Sequence, residues 1–259
     1  MLLVIDIGNT DATLGLFEKD LLKYNFRIKS LTHENYVFFE YRFRNYFLEK
    51  GIKFSEVEHV VISSVVPSLT GIFKSICQNL IGKEPFFLNP ISFPMLKVDI
   101  DDPTEIGNDL YSNAIAAYTK YKANCVIVDF GTALTFTVVS KDAEIAGVAI
   151  APGLKTATKA LFANTAQLPS VPLQMPHSVL GKNSIHAIQA GIMFGYEGLV
   201  RSMIQRIRSE MGGECIAIAT GGLSSILTSL KDDFTEINID LTIQGLKIVG
   251  EKVFYHDNI

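Results

Sequence analysis

Two apolar segments of this sequence end in the same short motif, an aspartate, any residue and a glycine. The first is Val4-Ile5-Asp6-Ile7-Gly8, and the second is Ile127-Val128-Asp129-Phe130-Gly131. A threonine follows closely in both, Thr10 in one copy and Thr132 in the other. Because each copy opens a similar series of strands and helices, we interpret the repeat as a duplicated domain.

Hydrophobic periodicity predicts a three-strand meander at each of these starts, followed by helices and single strands. The predicted strands are Leu2–Ile7, Ala12–Phe17, Leu22–Ile28, His59–Ser63, Cys125–Asp129, Ala133–Val139, Ile145–Ile150 and Ile216–Ala219. The predicted helices are His33–Lys50, Pro67–Ile81, Gly107–Tyr121, Thr156–Ala163, Ser184–Met211, Gly222–Ser229 and Thr242–Val253. This order predicts an α/β fold with a central mixed sheet in each domain. We place the domains at residues 1–117 and 118–259.

The composition and the net charge indicate which class of binding partner to expect. With 259 residues and 48% hydrophobic content, the chain can bury two cores in domains of roughly 100–150 residues each. A net charge of -4 gives no overall basic field for nucleic acid or an anionic membrane, so we expect small-molecule substrates. The three cysteines, Cys77, Cys125 and Cys215, form no CxxC pair and indicate neither a disulfide framework nor a zinc site. We expect Cys125 and Cys215 to be buried, inert thiols.

The N-terminus reads as a buried strand. Met1–Ile5 is apolar, but Asp6 interrupts it, and neither a basic region nor a cleavage site of a signal peptide is present. No uninterrupted apolar stretch reaches the ~20 residues of a membrane-spanning helix. These features predict a cytoplasmic protein.

The first motif has the composition of a phosphate-binding turn. Gly8 permits close backbone approach and a positive φ, and Asn9 and Thr10 add side-chain donors beside the backbone N–H groups. Asp6 would be repelled by phosphate, so its expected role is to hold a divalent metal, directly or through water. The alternative is an ordinary hairpin turn. The second copy, with Asp129 and Thr132, favours phosphate binding and a hairpin type of site, because no Walker A or Rossmann glycine motif is present.

Three further turns carry candidate residues. Asp109 lies in the first turn of a predicted helix, where the helix dipole should keep its pKa low. A carboxylate there can accept a proton from a substrate hydroxyl during phosphoryl transfer, or it can be only a helix-start residue. The glycines of Ala151-Pro152-Gly153-Leu154 and Ala219-Thr220-Gly221-Gly222 can bring backbone amides close to a nucleotide, or serve as simple turns.

Taken in order, five segments resemble the type III pantothenate kinases: Asp6-Ile7-Gly8-Asn9-Thr10, Gly107-Asn108-Asp109, Asp129-Phe130-Gly131-Thr132-Ala133, Ala151-Pro152-Gly153-Leu154 and Gly181-Lys182-Asn183-Ser184. The resemblance implies two actin-like, ribonuclease H-like domains with an ATP cleft between them, and a homodimer. It also implies ATP with Mg2+ and a monovalent cation, potassium or ammonium. The implied activity is ATP-dependent phosphorylation of pantothenate to 4′-phosphopantothenate, the first step of coenzyme A biosynthesis.

The resemblance also implies roles for single residues. The residues implied to bind ATP are Asp6, Ile7, Gly8, Asn9, Thr10, Asp11, Ala12, Thr13 and Thr132. The residues implied to bind pantothenate are Ile100, Gly107, Asn108, Asp109, Leu110 and Ser184. Asp109 is the implied proton acceptor, Asp129 the implied ligand of the monovalent cation, and Asp6 the implied holder of Mg2+.

Two positions depart from the family pattern. Leu110 stands where the family usually has arginine, and Ile100 where it usually has an aromatic residue. If that arginine pairs with the pantothenate carboxylate, its loss costs about 1.5–3 kcal/mol, or ten-fold to more than a hundred-fold in affinity. Lys155 or Lys182 is a candidate replacement. A nucleotide-binding regulatory protein without kinase activity, and a kinase for another small hydroxy acid, therefore remain alternatives.

Overall fold

The computed structural model describes residues 1–165, 168–224 and 226–255. Its strands are β1 (Leu2–Ile7), β2 (Asp11–Glu18), β3 (Leu21–Lys29), β4 (His59–Ser64), β5 (Phe86–Phe87), β6 (Lys97–Val98), β7 (Cys125–Phe130), β8 (Ala133–Val139), β9 (Glu144–Pro152), β10 (Ile216–Thr220) and β11 (Glu236–Ile237). Its α-helices are α1 (Tyr36–Lys50), α2 (Pro67–Ile76), α3 (Asn108–Tyr121), α4 (Leu154–Ala163), α5 (Ser184–Glu210) and α6 (Leu241–Phe254).

The first sheet is mixed, in the order β3-β2-β1-β4-β5. Strands β1, β2 and β3 form an antiparallel meander, while β4 runs parallel to β1. Helix α1 buries Phe39, Phe43 and Phe47, which recur every four residues along one face, against this unit's core. The helix begins after the predicted start because the side chain of Asn35 caps it by accepting the N–H of Phe38.

The second sheet repeats this arrangement, in the order β11-β10-β7-β8-β9-β6. Strands β7, β8 and β9 form the antiparallel meander, and β10 lies parallel to β7 as β4 lies parallel to β1. Helix α5 buries one apolar stripe in this unit's core, including Met193, Val200 and Ile204. The predicted α/β class, the mixed sheets and the duplication are confirmed.

The structure divides the chain differently from the predicted boundary at 117/118. One unit comprises residues 1–97, 101–116 and the described residues from 241 onward, and the other comprises residues 98–100 and 117–240. Helix α6 belongs to the first unit because it packs on β1 and β4. Its two glycines permit close packing on α3 and on β1: a Cβ on Gly245 would lie 2.0 Å from the carbonyl oxygen of Ser112 in α3, and one on Gly250 would lie 2.7 Å from the side chain of Leu2 in β1.

The predicted helix at Gly222–Ser229 is wrong. In the described part of this segment, a turn covers residues 222–224, and a 3-10 helix covers Thr228–Asp233. Serine and threonine side chains compete for backbone hydrogen bonds, which disfavours a continued α-helix in a segment this rich in them. The short strands β5, β6 and β11 were not predicted, since two residues show no periodicity.

All three cysteines are free and buried. Burial raises the pKa of Cys77 and of Cys125 to about 12 and that of Cys215 to about 11. The expectation that Cys125 and Cys215 are buried, inert thiols is confirmed. None of the helices in the described residues is both long enough and apolar enough to span a membrane.

Candidate active site

The first Asp-x-Gly motif forms the hairpin between β1 and β2. Asp6 pairs with Thr13 in the strand register, and the Gly8 N–H donates to the carbonyl of Asp11 at 3.1 Å. Asn9 and Thr10 lie exposed at the tip. Gly8 does not use the positive φ that glycine permits, because its φ lies outside the left-handed region. Glycine is favoured here by close approach, since a Cβ would lie 3.2 Å from the Asp11 carbonyl oxygen.

The eight first-hairpin residues implied to bind ATP, Asp6 to Thr13, differ in the groups that they can present to a ligand. Ile7 and Ala12 are fully buried in the core, so only their backbone can take part in a site. Asp6 is half-buried, and its carboxylate accepts the hydroxyl of Ser63 at 2.9 Å. Asp11 forms an ion pair with Lys29 at 2.8 Å. The turn can therefore present backbone N–H groups and the side chains of Asn9 and Thr10 to an anion.

Asp109 lies in the first turn of α3, and its carboxylate bends back over the helix start. Its Oδ1 accepts the Leu110 N–H at 2.8 Å, and a Cβ on Gly107 would lie 2.4 Å from the same oxygen. Burial raises the pKa of the Asp109 carboxyl, and the N–H groups of Leu110 and Asp109 only partly oppose this. The expected low pKa is therefore wrong, because desolvation outweighs the helix dipole.

A hydrogen bond joins the start of α3 to the end of β4. The side-chain amide of Asn108 donates to the carbonyl of Ser64 at 3.1 Å, one residue beyond the serine that holds Asp6. Asp109 follows Asn108 in the chain, and Asp6 is hydrogen-bonded to Ser63, the residue before Ser64. The first unit thus brings the candidate phosphate-binding turn and the candidate base to the same end of its sheet. Leu110 is only 7% exposed, so its side chain is committed to apolar packing.

The second Asp-x-Gly motif forms the hairpin between β7 and β8. Asp129 pairs with Thr135 on one side and with Thr220 of β10 on the other. Gly221 has a φ of +88°, and a Cβ there would lie 2.4 Å from the Asp129 carboxylate. Glycine is therefore favoured in the turn after β10 because the backbone there packs directly against the Asp129 carboxylate.

Thr132 lies exposed in this second turn, with its carbonyl held by α4. The carbonyl accepts the Gly153 N–H at 3.0 Å and the Thr156 hydroxyl at 2.7 Å. A Cβ on Gly153 would lie 2.3 Å from the carbonyl oxygen of Gly131. The glycine turn before α4 thus braces the hairpin, and the Gly153 N–H is used within the protein.

The two candidate cation sites have different oxygen donors. Asp6 is a single carboxylate beside a phosphate turn, and Mg2+ is commonly held by one or two carboxylates together with substrate phosphates. Beside Asp129, Thr135 is 8% exposed, and its buried hydroxyl makes no hydrogen bond within the described residues. Such an orphaned oxygen fits a cation that takes oxygen ligands. The described residues contain no cluster of three or more His, Cys, Asp or Glu side chains that could hold a metal.

The remaining implied substrate residues lie in the second unit. Ile100 is half-buried in a bend after β6. Ser184 is the exposed first residue of α5, beside Asn183, whose side chain caps the helix by accepting the His186 N–H at 2.9 Å. Gly107, Asn108, Asp109 and Leu110 belong to the first unit.

Sequence reasoning missed two serines that support the first hairpin, Ser30 and Ser63. Each donates its hydroxyl to a residue of that hairpin, although Ser30 lies 22 residues from its acceptor and Ser63 lies 57 residues from its own. The only available signal was a serine at the end of a predicted strand beside the motif, which is not specific.

Comparison with known proteins finds relatives along the chain. The family model described as type III pantothenate kinase matches residues 2–206. The type III pantothenate kinase of Syntrophotalea carbinolica is 36% identical over 252 residues, covering 96% of this chain and 98% of that protein. The type III pantothenate kinase of Roseiflexus sp. is 37% identical over 251 residues, covering 97% of this chain and 98% of that protein.

Solved structures with little sequence identity share the fold. A protein from Campylobacter jejuni described as a Baf family transcriptional activator superposes with a TM-score of 0.62 at 19% identity, covering 97% of this chain and 98% of its own. A protein from Sinorhizobium meliloti described as a 2-dehydro-3-deoxygalactonokinase superposes with a TM-score of 0.59 at 9% identity, covering 98% and 97%. At these identities the likeness shows the fold alone, that of the actin-like ATPases and sugar kinases.

Proposed function

This chain belongs to the type III pantothenate kinase family, and we propose that it phosphorylates pantothenate with ATP, giving 4′-phosphopantothenate in the first step of coenzyme A biosynthesis. The observation that carries the proposal is the link at the end of β4. There Ser63 holds Asp6 beside the phosphate turn, and Ser64 accepts Asn108 beside Asp109. A kinase needs these two functions, anion binding and proton acceptance, close together.

In the proposed reaction, Asp109 accepts the proton of the pantothenate hydroxyl while the alcohol oxygen attacks the γ-phosphorus of ATP. The bond between the γ-phosphorus and the bridging oxygen breaks, and ADP leaves with the bond's electron pair. The raised pKa of Asp109 suits this role, because a base is more effective when its pKa is nearer the working pH.

The phosphate chain would lie against the turn from Asp6 to Thr13 in the first unit. When bound, Mg2+ would neutralise phosphate charge, with Asp6 as the residue that holds it. Asp129 and Thr135 would supply oxygens to a monovalent cation, potassium or ammonium. Of the residues predicted to bind pantothenate, Gly107, Asn108 and Leu110 lie together in the first unit and would form the acceptor site there.

A homodimer is part of the proposal. Helix α5 exposes Gly191, Gly195 and Gly198 along one side, and a Cβ on any of them would meet no described atom within 4 Å. Ile185 is exposed near the start of the same helix. Analytical ultracentrifugation tests the dimer. Gly195→Arg should shift the equilibrium towards monomer, because the arginine fits without a clash in a single chain but would obstruct a partner packed on this side of α5. A wild-type chain that sediments as a monomer at micromolar concentration would refute it.

The activity itself is tested by coupled detection of ADP release, with mass spectrometry of the product. We expect release that requires pantothenate and increases with potassium or ammonium over sodium. If no pantothenate-dependent release is seen in potassium, in ammonium or in sodium, the proposal is overturned. Turnover with a different hydroxy acid would indicate a kinase with another acceptor, and ATP binding without transfer would indicate a regulatory protein.

A further inference from the structure

We propose that Ser30 is a positioning residue for ATP, which holds the turn at Gly8–Asp11 with its carbonyl oxygens away from the phosphates. This inference rests on the proposed use of that turn in ATP binding. Ser30 follows β3 directly and is only 8% exposed.

Ser30 makes two hydrogen bonds to the turn. Its hydroxyl donates to the carbonyl of Gly8 at 2.6 Å, and its backbone N–H donates to the carbonyl of Thr10 at 3.0 Å. The carbonyl of Asp11 accepts the Gly8 N–H at 3.1 Å. Three carbonyl oxygens of a four-residue turn are therefore held by the protein.

The direction of a carbonyl fixes the direction of the next N–H, because the peptide group is planar and trans, with its C=O and N–H on opposite sides. With the Gly8 carbonyl held by Ser30, the Asn9 N–H must point the other way. Asn9 is exposed, and its N–H donates to no other residue in the part of the chain that the structure describes. That N–H is thus left available to an anionic oxygen.

Loss of the Ser30 hydroxyl would leave the Gly8 carbonyl without this donor. The Gly8–Asn9 peptide could then rotate, and a rotated peptide presents a carbonyl oxygen to phosphate, which repels it. Glycine at position 8 makes this rotation easier than any other residue would. The predicted effect therefore falls on the phosphates of ATP and spares the adenosine.

The test compares Ser30→Ala, Ser30→Thr and Ser75→Ala in the full-length protein. Ser75 is a matched control, because its hydroxyl also donates to a glycine carbonyl, that of Gly71 at 2.9 Å, but within α2. Calorimetry measures the affinities for ATP and adenosine, steady-state kinetics give KM and kcat, and thermal melting reports folding. If Ser30→Ala does not fold, Ser30→Cys, which keeps the size and a weak donor, takes its place.

We expect Ser30→Ala to weaken ATP binding about ten-fold, as loss of one hydrogen bond predicts, with the change in KM for ATP rather than kcat. Adenosine affinity should stay within about two-fold, and Ser30→Thr and Ser75→Ala should resemble wild type. Unchanged ATP affinity in folded Ser30→Ala, or in Ser30→Cys where it takes its place, or equal losses for ATP and adenosine, would overturn the inference. A wild-type chain that binds no ATP would instead refute the proposed function on which it rests.

Discussion

The hydroxyl of Ser63 donates a 2.9 Å hydrogen bond to the carboxylate of Asp6. Ser63 is fully buried in β4, and Asp6 is its direct partner in the parallel register with β1. The carbonyl of the next residue, Ser64, accepts a hydrogen bond from the side-chain amide of Asn108. Two consecutive residues of one strand therefore orient both segments that carry the candidate carboxylates.

Ser63→Ala should weaken the use of Mg-ATP. A hydrogen bond to a charged group contributes about 1.5–3 kcal/mol, so kcat/KM for ATP should fall about ten-fold or more. A titration of activity against Mg2+ should show a higher concentration for half-maximal rate. An unchanged Mg2+ dependence in a folded variant would argue against this role for Asp6.

Asp109→Asn should lower kcat by a factor of about 10²–10⁴, the usual contribution of general base catalysis, and leave ATP affinity near that of wild type. In the wild-type enzyme, kcat/KM should fall as the pH drops through the raised pKa of Asp109, at a pH above the usual aspartate value of 3.8. A pH–rate profile measures this limb. A variant that retains most of its kcat would exclude Asp109 as the base.

The same variant should be more stable than wild type at pH 7. Burial raises the pKa of Asp109 in the folded protein above its unfolded value of 3.8. The contribution of this carboxyl to the free energy of unfolding is therefore fully present below pH 3.8 and is lost as the pH rises through the folded pKa. Asparagine carries no such cost and still has an oxygen for the Leu110 N–H. Thermal melts at pH 7 and pH 3 should show a gain at the higher pH that disappears at the lower.

Thr135→Val should raise the potassium concentration needed for half-maximal activity several-fold. Without potassium, the variant should be at least as stable as wild type, because it removes a buried hydroxyl that has no partner in the described residues. Thermal melts give a second readout: potassium should raise the wild-type Tm more than that of the variant. Equal shifts in the two proteins would show that Thr135 is not a ligand.

Leu110→Arg should destabilise the fold by about 2 kcal/mol or more, because it places a charge at a site that is 7% exposed. Leu110→Met, of similar volume, should cost less than about 1.5 kcal/mol. Urea unfolding measures both. An arginine variant that keeps its stability and lowers the KM for pantothenate ten-fold would show that the guanidinium reaches the substrate carboxylate.

Gly245→Ala should destabilise the first unit by about 1–3 kcal/mol, because its Cβ would lie 2.0 Å from the backbone oxygen of Ser112. Gly71→Ala is the matched control in an exposed helical position, where a Cβ would meet nothing within 4 Å. It should raise stability by about 0.5–1 kcal/mol. Similar effects of the two changes on urea unfolding would contradict close packing of α6 on α3.

Much of the fold was predictable because its signals are local. The alternation of β1 to β3 and of β7 to β9, and the Asp-x-Gly turns within each meander, depend on residues next to each other in the chain. Helix α3 begins within one residue of the predicted start for the same reason. The prediction of a helix at Gly222–Ser229 was wrong, because that segment has only weak helix propensity and no helical periodicity of apolar residues.

Four features depended on tertiary contacts. An amphipathic helix does not specify which sheet it covers, so the placement of α6 in the first unit followed only from its packing on β1 and β4. Ser30 and Ser63 reach the first hairpin across 22 and 57 residues. The helix dipole at Asp109 is a local property, but the desolvation that raises its pKa comes from atoms that folding gathers around it.

The sequence by itself therefore determined the family, the duplicated sheets and the two Asp-x-Gly hairpins, since these are properties of short segments. Only the tertiary structure decided which donors orient the Gly8 carbonyl and the Asp6 carboxylate, and how Asp109 titrates. Those properties depend on distances and burial among residues that are remote in the chain.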